Sequence, residues 1–79
     1  MEPGNIVEYI DRQKIICAVI LEMKKQRLRL LNENNREVKM SAGRLSHKSK
    51  NMLDLSLGRD KLVGVLKEAQ GGRQCMLVP

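Results

Sequence analysis

Arg27-Leu28-Arg29-Leu30-Leu31-Asn32-Glu33-Asn34-Asn35-Arg36-Glu37-Val38-Lys39-Met40 decides the fold of this 79-residue chain. On either side of its Asn-rich centre, apolar and charged residues alternate one by one. Leu28, Leu30, Val38 and Met40 face one way, and Arg27, Arg29, Glu37 and Lys39 face the other. A period of two in two short runs marks a half-buried antiparallel pair. Asn32-Glu33-Asn34-Asn35 supplies the turn, because Asn tolerates a left-handed backbone and its amide satisfies local backbone groups. The spacing predicts a β-hairpin that buries Leu28, Leu30, Val38 and Met40.

The same pattern extends towards both ends. A first strand is expected from about Ile6 to Ile10, with Val7 and Tyr9 on one face and Glu8 on the other, followed by a polar turn at Asp11-Arg12-Gln13-Lys14. The second run is apolar at Ile15, Cys17, Val19, Leu21 and Met23 and also at Ile16, Ala18 and Ile20. A strand apolar on both faces is central and covered above and below, and the C-terminal segment is available as the second cover. Lys24-Lys25-Gln26 turns into the third strand. After Met40, Ser41–Leu45 reads as one helical turn leading to a short last strand at Leu45–His47. The expected fold is therefore mainly β: residues 1–47 form a small, highly curved barrel of about five short antiparallel strands. So small a barrel encloses no pocket, which places any function on its outer surface.

Residues 48–58 read as a polar, extended linker, with Leu53, Leu55 and Leu57 laid against the barrel. Residues 59–72 read as a helix with Leu62, Val63, Leu66 and Ala69 in one stripe, Gly58 as its N-cap and Gly71-Gly72 as its end. Gly64 inside it costs about 1 kcal/mol relative to Ala. A helix this short needs a partner, either the barrel or a domain absent from this chain. Residues 73–79 are left as a tail.

Charge and composition narrow the function. The chain holds 15 Lys and Arg against 9 Asp and Glu, a net charge of +6, so a polyanion is attracted to it. Tyr9 is the only aromatic residue, which argues against a reader that stacks bases on several rings. Contact with nucleic acid would fall on phosphate and be indifferent to sequence. Cys17, Cys75 and His47 lack the spacing of a zinc site, Ser41, Ser46, Ser49 and Ser56 have no evident activating base, and no Gly-rich phosphate loop occurs. No cofactor is expected in this chain. Two thiols without an obvious partner suit a reducing compartment, a disulfide between Cys17 and Cys75 being the alternative. Met1-Glu2-Pro3-Gly4 is not a secretory leader, and the apolar run Ile15–Leu21 falls far short of the roughly 20 residues that span a bilayer. The expectation is a cytoplasmic protein.

Two basic clusters stand out: Lys24, Lys25, Arg27 and Arg29, then Arg44, His47, Lys48 and Lys50. Either they track a phosphate backbone, or they are a solvated strand face partly neutralised by Glu22 and Glu37. Tyr9, among inward residues, reads as core or rim, and His47 as a surface residue.

Gly4-Asn5-Ile6-Val7-Glu8-Tyr9, Val19-Ile20-Leu21-Glu22, Arg27-Leu28-Arg29-Leu30-Leu31, Arg36-Glu37-Val38 and Arg44-Leu45 resemble the N-terminal region of bacterial ribonuclease II-type (RNB family) exoribonucleases. In a subset of those enzymes this region looks like a small Src-homology-3-like barrel, and Leu53–Leu57 with Arg59–Val63 are similar to the start of the helical part that follows. The resemblance implies an N-terminal fragment of a 3′–5′ exoribonuclease, with RNA and the rest of the parent enzyme as partners. Lys24, Lys25, Arg27, Arg29, Arg44 and Lys48 would hold the RNA backbone near the mouth of a catalytic channel. The family's clustered aspartates and their magnesium lie in a large domain that these residues do not include. Asp11, Asp54 and Asp60 are isolated, so the chain itself is expected to be non-catalytic. The alternative is a docking barrel within the parent enzyme, or a self-associating one, whose charges serve solubility.

Overall fold

The computed structural model describes the backbone of residues 1–77 and the side chains of residues 1–69. Five strands, β1 (Asn5–Asp11), β2 (Lys14–Lys24), β3 (Arg27–Asn32), β4 (Glu37–Ser41) and β5 (Leu45–Met52), precede one helix, α1 (Arg59–Leu77), and a single 3₁₀ turn at Ala42–Arg44 joins β4 to β5. The strands form one antiparallel sheet in the order β4-β3-β2-β1-β5. This is the mainly β architecture with a C-terminal helix that the alternation predicts. The sheet does not close, however. β4 and β5 are both edges, so the molecule is an open sheet bent by bulges more than a barrel.

β2 lies at the centre because it is apolar on both faces. One face joins Ile6, Cys17, Val19 and Leu31 to Leu62, Val63 and Leu66 of α1. The other joins Val7, Tyr9, Ala18, Ile20, Leu28 and Leu30, with Val38, Met40 and Leu45 half-buried around them. The β3–β4 hairpin has the expected register, Leu28 opposite Met40 and Leu30 opposite Val38. Its turn is closed by Asn32, whose Oδ1 accepts from the Asn34 and Arg36 amides at 2.9 and 3.1 Å. Asn35 takes the left-handed backbone (φ 63°). Glu33 seals the end of the β2–β3 ladder: its amide donates to the Cys17 carbonyl, and its Oε1 accepts from the Cys17 amide at 2.8 Å.

A bulge changes one face assignment. The β2–β3 register slips between Ile20 and Glu22, after which Glu22 stands opposite Arg29 and Met23 opposite Leu28. The extra residue breaks the alternation, so Met23 leaves the face of Cys17 and Val19 and packs with Ala18 and Ile20.

Three segment boundaries also differ from the expectation. The last strand runs to Met52, so the linker begins only after it. Ser46–Asn51 carries no apolar alternation because β5 is an edge strand with polar and lysine side chains. Asn5 holds it instead. The buried Asn5 Nδ2 donates to the Ser49 carbonyl at 2.6 Å and the Asn51 carbonyl at 3.2 Å, beside a bulge in the β1–β5 pair. Gly4 continues this attachment, its carbonyl accepting from the Leu53 amide at 2.7 Å. With φ at 95°, and the Leu53 oxygen 2.8 Å from where a Cβ would sit, only glycine fits there. Leu53–Leu57 is not an extended run. Asp54 Oδ1 accepts from the Ser56 amide and hydroxyl and turns the chain, so Leu53 and Leu55 lean on the core while Leu57 is exposed. Finally, α1 passes through Gly71-Gly72 to Leu77. Glycine weakens a helix but keeps both backbone hydrogen-bonding groups, so it need not end one. Of the expected tail, residues 73–77 are helical, and residues 78–79 lie outside the described residues. Ala69, expected in the buried stripe, is exposed.

Candidate nucleic-acid interface

The first basic cluster sits where two elements meet. β2 and β3 are joined at Lys25-Gln26, with Lys24 opposite Arg27 and Lys25 in the left-handed region (φ 55°). The tip is fixed to the far end of β4 by the Ala42 amide, which donates to the Gln26 carbonyl at 2.7 Å. Between tip and strand lies an open groove of about 770 Å³. Leu28 and Met40 form its apolar base, and Lys24, Lys25, Arg27, Arg29 and Lys39 line it with a single carboxylate, Glu22.

Within this groove the cations differ in availability. Arg29 is held between two carboxylates: Nη1 is 2.7 Å from Glu37 and Nη2 is 3.1 Å from Glu22. The pairing raises the Arg29 pKa, with the Glu37 hydrogen bond the largest cause, and lowers that of Glu37, chiefly through its hydrogen bond to Arg29. The network reaches α1. Arg59 Nη1 meets the second Glu37 oxygen at 3.2 Å, while its Nε and Nη2 donate to the Asn35 side chain and carbonyl at 2.6 and 2.9 Å. Lys24 stands 3.8 Å from Glu22 and is almost fully exposed. Among the described residues, no carboxylate lies within ion-pair distance of Lys25, Arg27 or Lys39.

The expected six residues therefore do not form one surface. Lys24, Lys25 and Arg27 meet in the groove, and Arg29 joins them with its charge already matched. Arg44 lies in the 3₁₀ turn and lines a separate depression beside Tyr9. Lys48 sits opposite Val7 on β5, with β2 and β1 intervening between β3 and its own strand. Lys39 is the groove residue that clustering along the chain misses. Its alternation with Val38 and Met40 places it on the outward face beside Arg29, and the hairpin register then makes it opposite Arg29.

Tyr9 is buried, its hydroxyl accepting a hydrogen bond from Asn32 Nδ2 at 3.1 Å, and His47 is exposed. Among the described residues, no three His, Cys, Asp or Glu side chains stand close enough to hold a metal ion. Asp11 ends β1, Asp54 serves the turn before α1, and Asp60 lies in the first helical turn. No described helix is long and apolar enough to cross a membrane. Comparison with protein-family models, with curated proteins and with solved structures finds no match to this chain.

Proposed function

We propose that this chain is a non-catalytic RNA-binding module that grips the phosphate backbone electrostatically, of the kind its sequence resembles at the N-terminus of ribonuclease II-type exoribonucleases. The observation that supports this reading is the groove between the β2–β3 tip and β4. There Lys25, Arg27 and Lys39 converge without a carboxylate partner among the described residues. Three cations without a carboxylate partner, one in the β2–β3 turn and one each on β3 and β4, offer a phosphate chain several contacts in one groove. With no exposed ring beside them, the contacts carry no base information. Lys24, exposed at the rim, adds to the attracting field. In a parent enzyme with its own magnesium-dependent centre, such a surface would hold RNA while hydrolysis proceeds elsewhere.

The half-buried Met40 at the foot of the groove favours one second reading, a small β-sheet module that docks within its parent enzyme or on a second copy of itself. Fluorescence anisotropy with single-stranded RNA of mixed sequence separates the two. The electrostatic module binds all sequences alike and weakens steeply with salt. A docking module shows no RNA binding even at low salt.

A further inference from the structure

On the other side of Met40 from the groove, an open depression of about 600 Å³ lies beside Tyr9. We propose that it is a binding site for a ribonucleotide: a planar ring, a sugar bearing hydroxyls, and one phosphate. The inference does not rest on the groove and stands or falls separately from the backbone-binding reading.

Its lining has three chemically distinct parts. Ile16, Val38 and Met40 supply an apolar wall, and Ile10 adds an unusually exposed isoleucine, 55% accessible, at the rim. Such a wall suits the face of a ring. Arg36 and Arg44 come from different segments, the β3–β4 turn and the 3₁₀ turn, and both line the same depression. Among the described residues neither is ion-paired. Guanidinium groups bind phosphate through paired, charge-assisted hydrogen bonds. The third part is hydroxyl-directed. Asp11 lines the depression as an acceptor, which suits sugar hydroxyls and disfavours a ligand that is anionic throughout. Tyr9 lines the depression, and its hydroxyl accepts from Asn32 Nδ2 and so keeps its own proton to donate. A ribonucleotide satisfies all three parts.

A free mononucleotide and the phosphorylated end of an RNA share this chemistry. The test is an amide-resolved NMR titration of the full chain with adenosine monophosphate, adenosine, inorganic phosphate and a 5′-phosphorylated RNA tetranucleotide. Adenosine monophosphate at about millimolar concentration is expected to move the signals of Ile10, Ile16, Asn34 and Val38. It should bind at least about tenfold more tightly than adenosine or phosphate alone, since each lacks part of the charge-assisted or apolar contact. The double variant Arg36→Gln/Arg44→Gln should lose about tenfold in affinity, and Tyr9→Phe a smaller factor with the fold intact. Lys25→Gln/Arg27→Gln in the groove should weaken mononucleotide binding clearly less than the Arg36→Gln/Arg44→Gln variant does. A tetranucleotide that binds more tightly than the mononucleotide, and is weakened by the Arg36 and Arg44 changes, identifies the RNA end as the source. Equal or weaker binding identifies the free nucleotide. Absence of shifts at these residues, phosphate binding as tightly as the nucleotide, or equal losses from the groove variant would each overturn the proposal.

Discussion

Arg27 and Arg29 lie two residues apart on one face of one strand, yet the structure puts them to different use. Arg29 stands between Glu22 and Glu37 and belongs to a chain of charges that ends on α1 through Arg59. Arg27 sits at the open end of the hairpin, opposite Lys24, with no carboxylate partner among the described residues. What separates them is the bulge in β2, which brings Glu22 rather than Leu21 opposite Arg29. A cation count along the chain therefore overstates what a polyanion can use. The relevant charges are those left over once the sheet has paired its own.

If α1 is held mainly by packing, with the Arg59 end of the network secondary, the two contributions should differ sharply in size. Leu66 is fully buried between the helix and the sheet. Leu66→Ala should cost about 2–5 kcal/mol, as for other buried leucines, seen as a large fall in the urea midpoint. A near-wild-type midpoint would mean that the helix does not depend on this face.

The next effect concerns the unmatched cations. Lys25→Glu, Arg27→Glu and Lys39→Glu together should weaken binding of single-stranded RNA by roughly 100-fold at low salt. Arg29→Gln should change it only a few-fold, because the charge it removes is already neutralised. Equal losses from Arg27→Gln and Arg29→Gln, measured side by side, would erase the distinction between them.

Much of this arrangement is legible in the sequence, and the limits have physical causes. The β3–β4 hairpin is fully specified by local signals: alternation gives the faces, and the Asn-rich turn gives the register. The central position of β2 follows from its double-sided apolarity. The length of β5 is not legible, since Ser46–Asn51 is held by the Asn5 side chain and the β1 backbone, partners 38 to 46 residues away. The β2 bulge is equally silent, because inserting one residue changes pairing without changing composition. The candidate surface shares this limit. Lys24, Lys25 and Arg27 are neighbours in sequence and in space, whereas Lys39 joins them only through the hairpin, Arg44 lines the separate depression beside Tyr9, and Lys48 is set apart by the sheet order.

A smaller effect is expected at the helix end of the network. Arg59 is exposed, and ion pairs of that kind contribute below about 1 kcal/mol. Arg59→Ala should therefore shift the urea midpoint far less than Leu66→Ala does. The ordering of the two is the decisive result.

The smallest effect is one of pH. The Arg29 hydrogen bond, together with Arg59, lowers the Glu37 pKa in the folded chain. A carboxylate depressed in this way adds stability above its unfolded pKa and loses it as the pH falls through the folded value. The Tm of the parent should slightly exceed that of Glu37→Gln at neutral pH, and the gap should close on acidification below the ordinary carboxylate range. A gap that widened towards acid would reverse the assigned sign.

The salt dependence of RNA binding puts the distinction between matched and unmatched cations to its sharpest test. Three phosphate contacts on a single strand predict a slope of log affinity against log salt of about −2, from roughly 0.7 per contact. The slope should be kept by Arg29→Gln, reduced by about one contact in Arg27→Gln, and close to zero in the triple variant. A parent chain that binds no RNA at low salt, or an Arg29→Gln slope as shallow as that of Arg27→Gln, would contradict it.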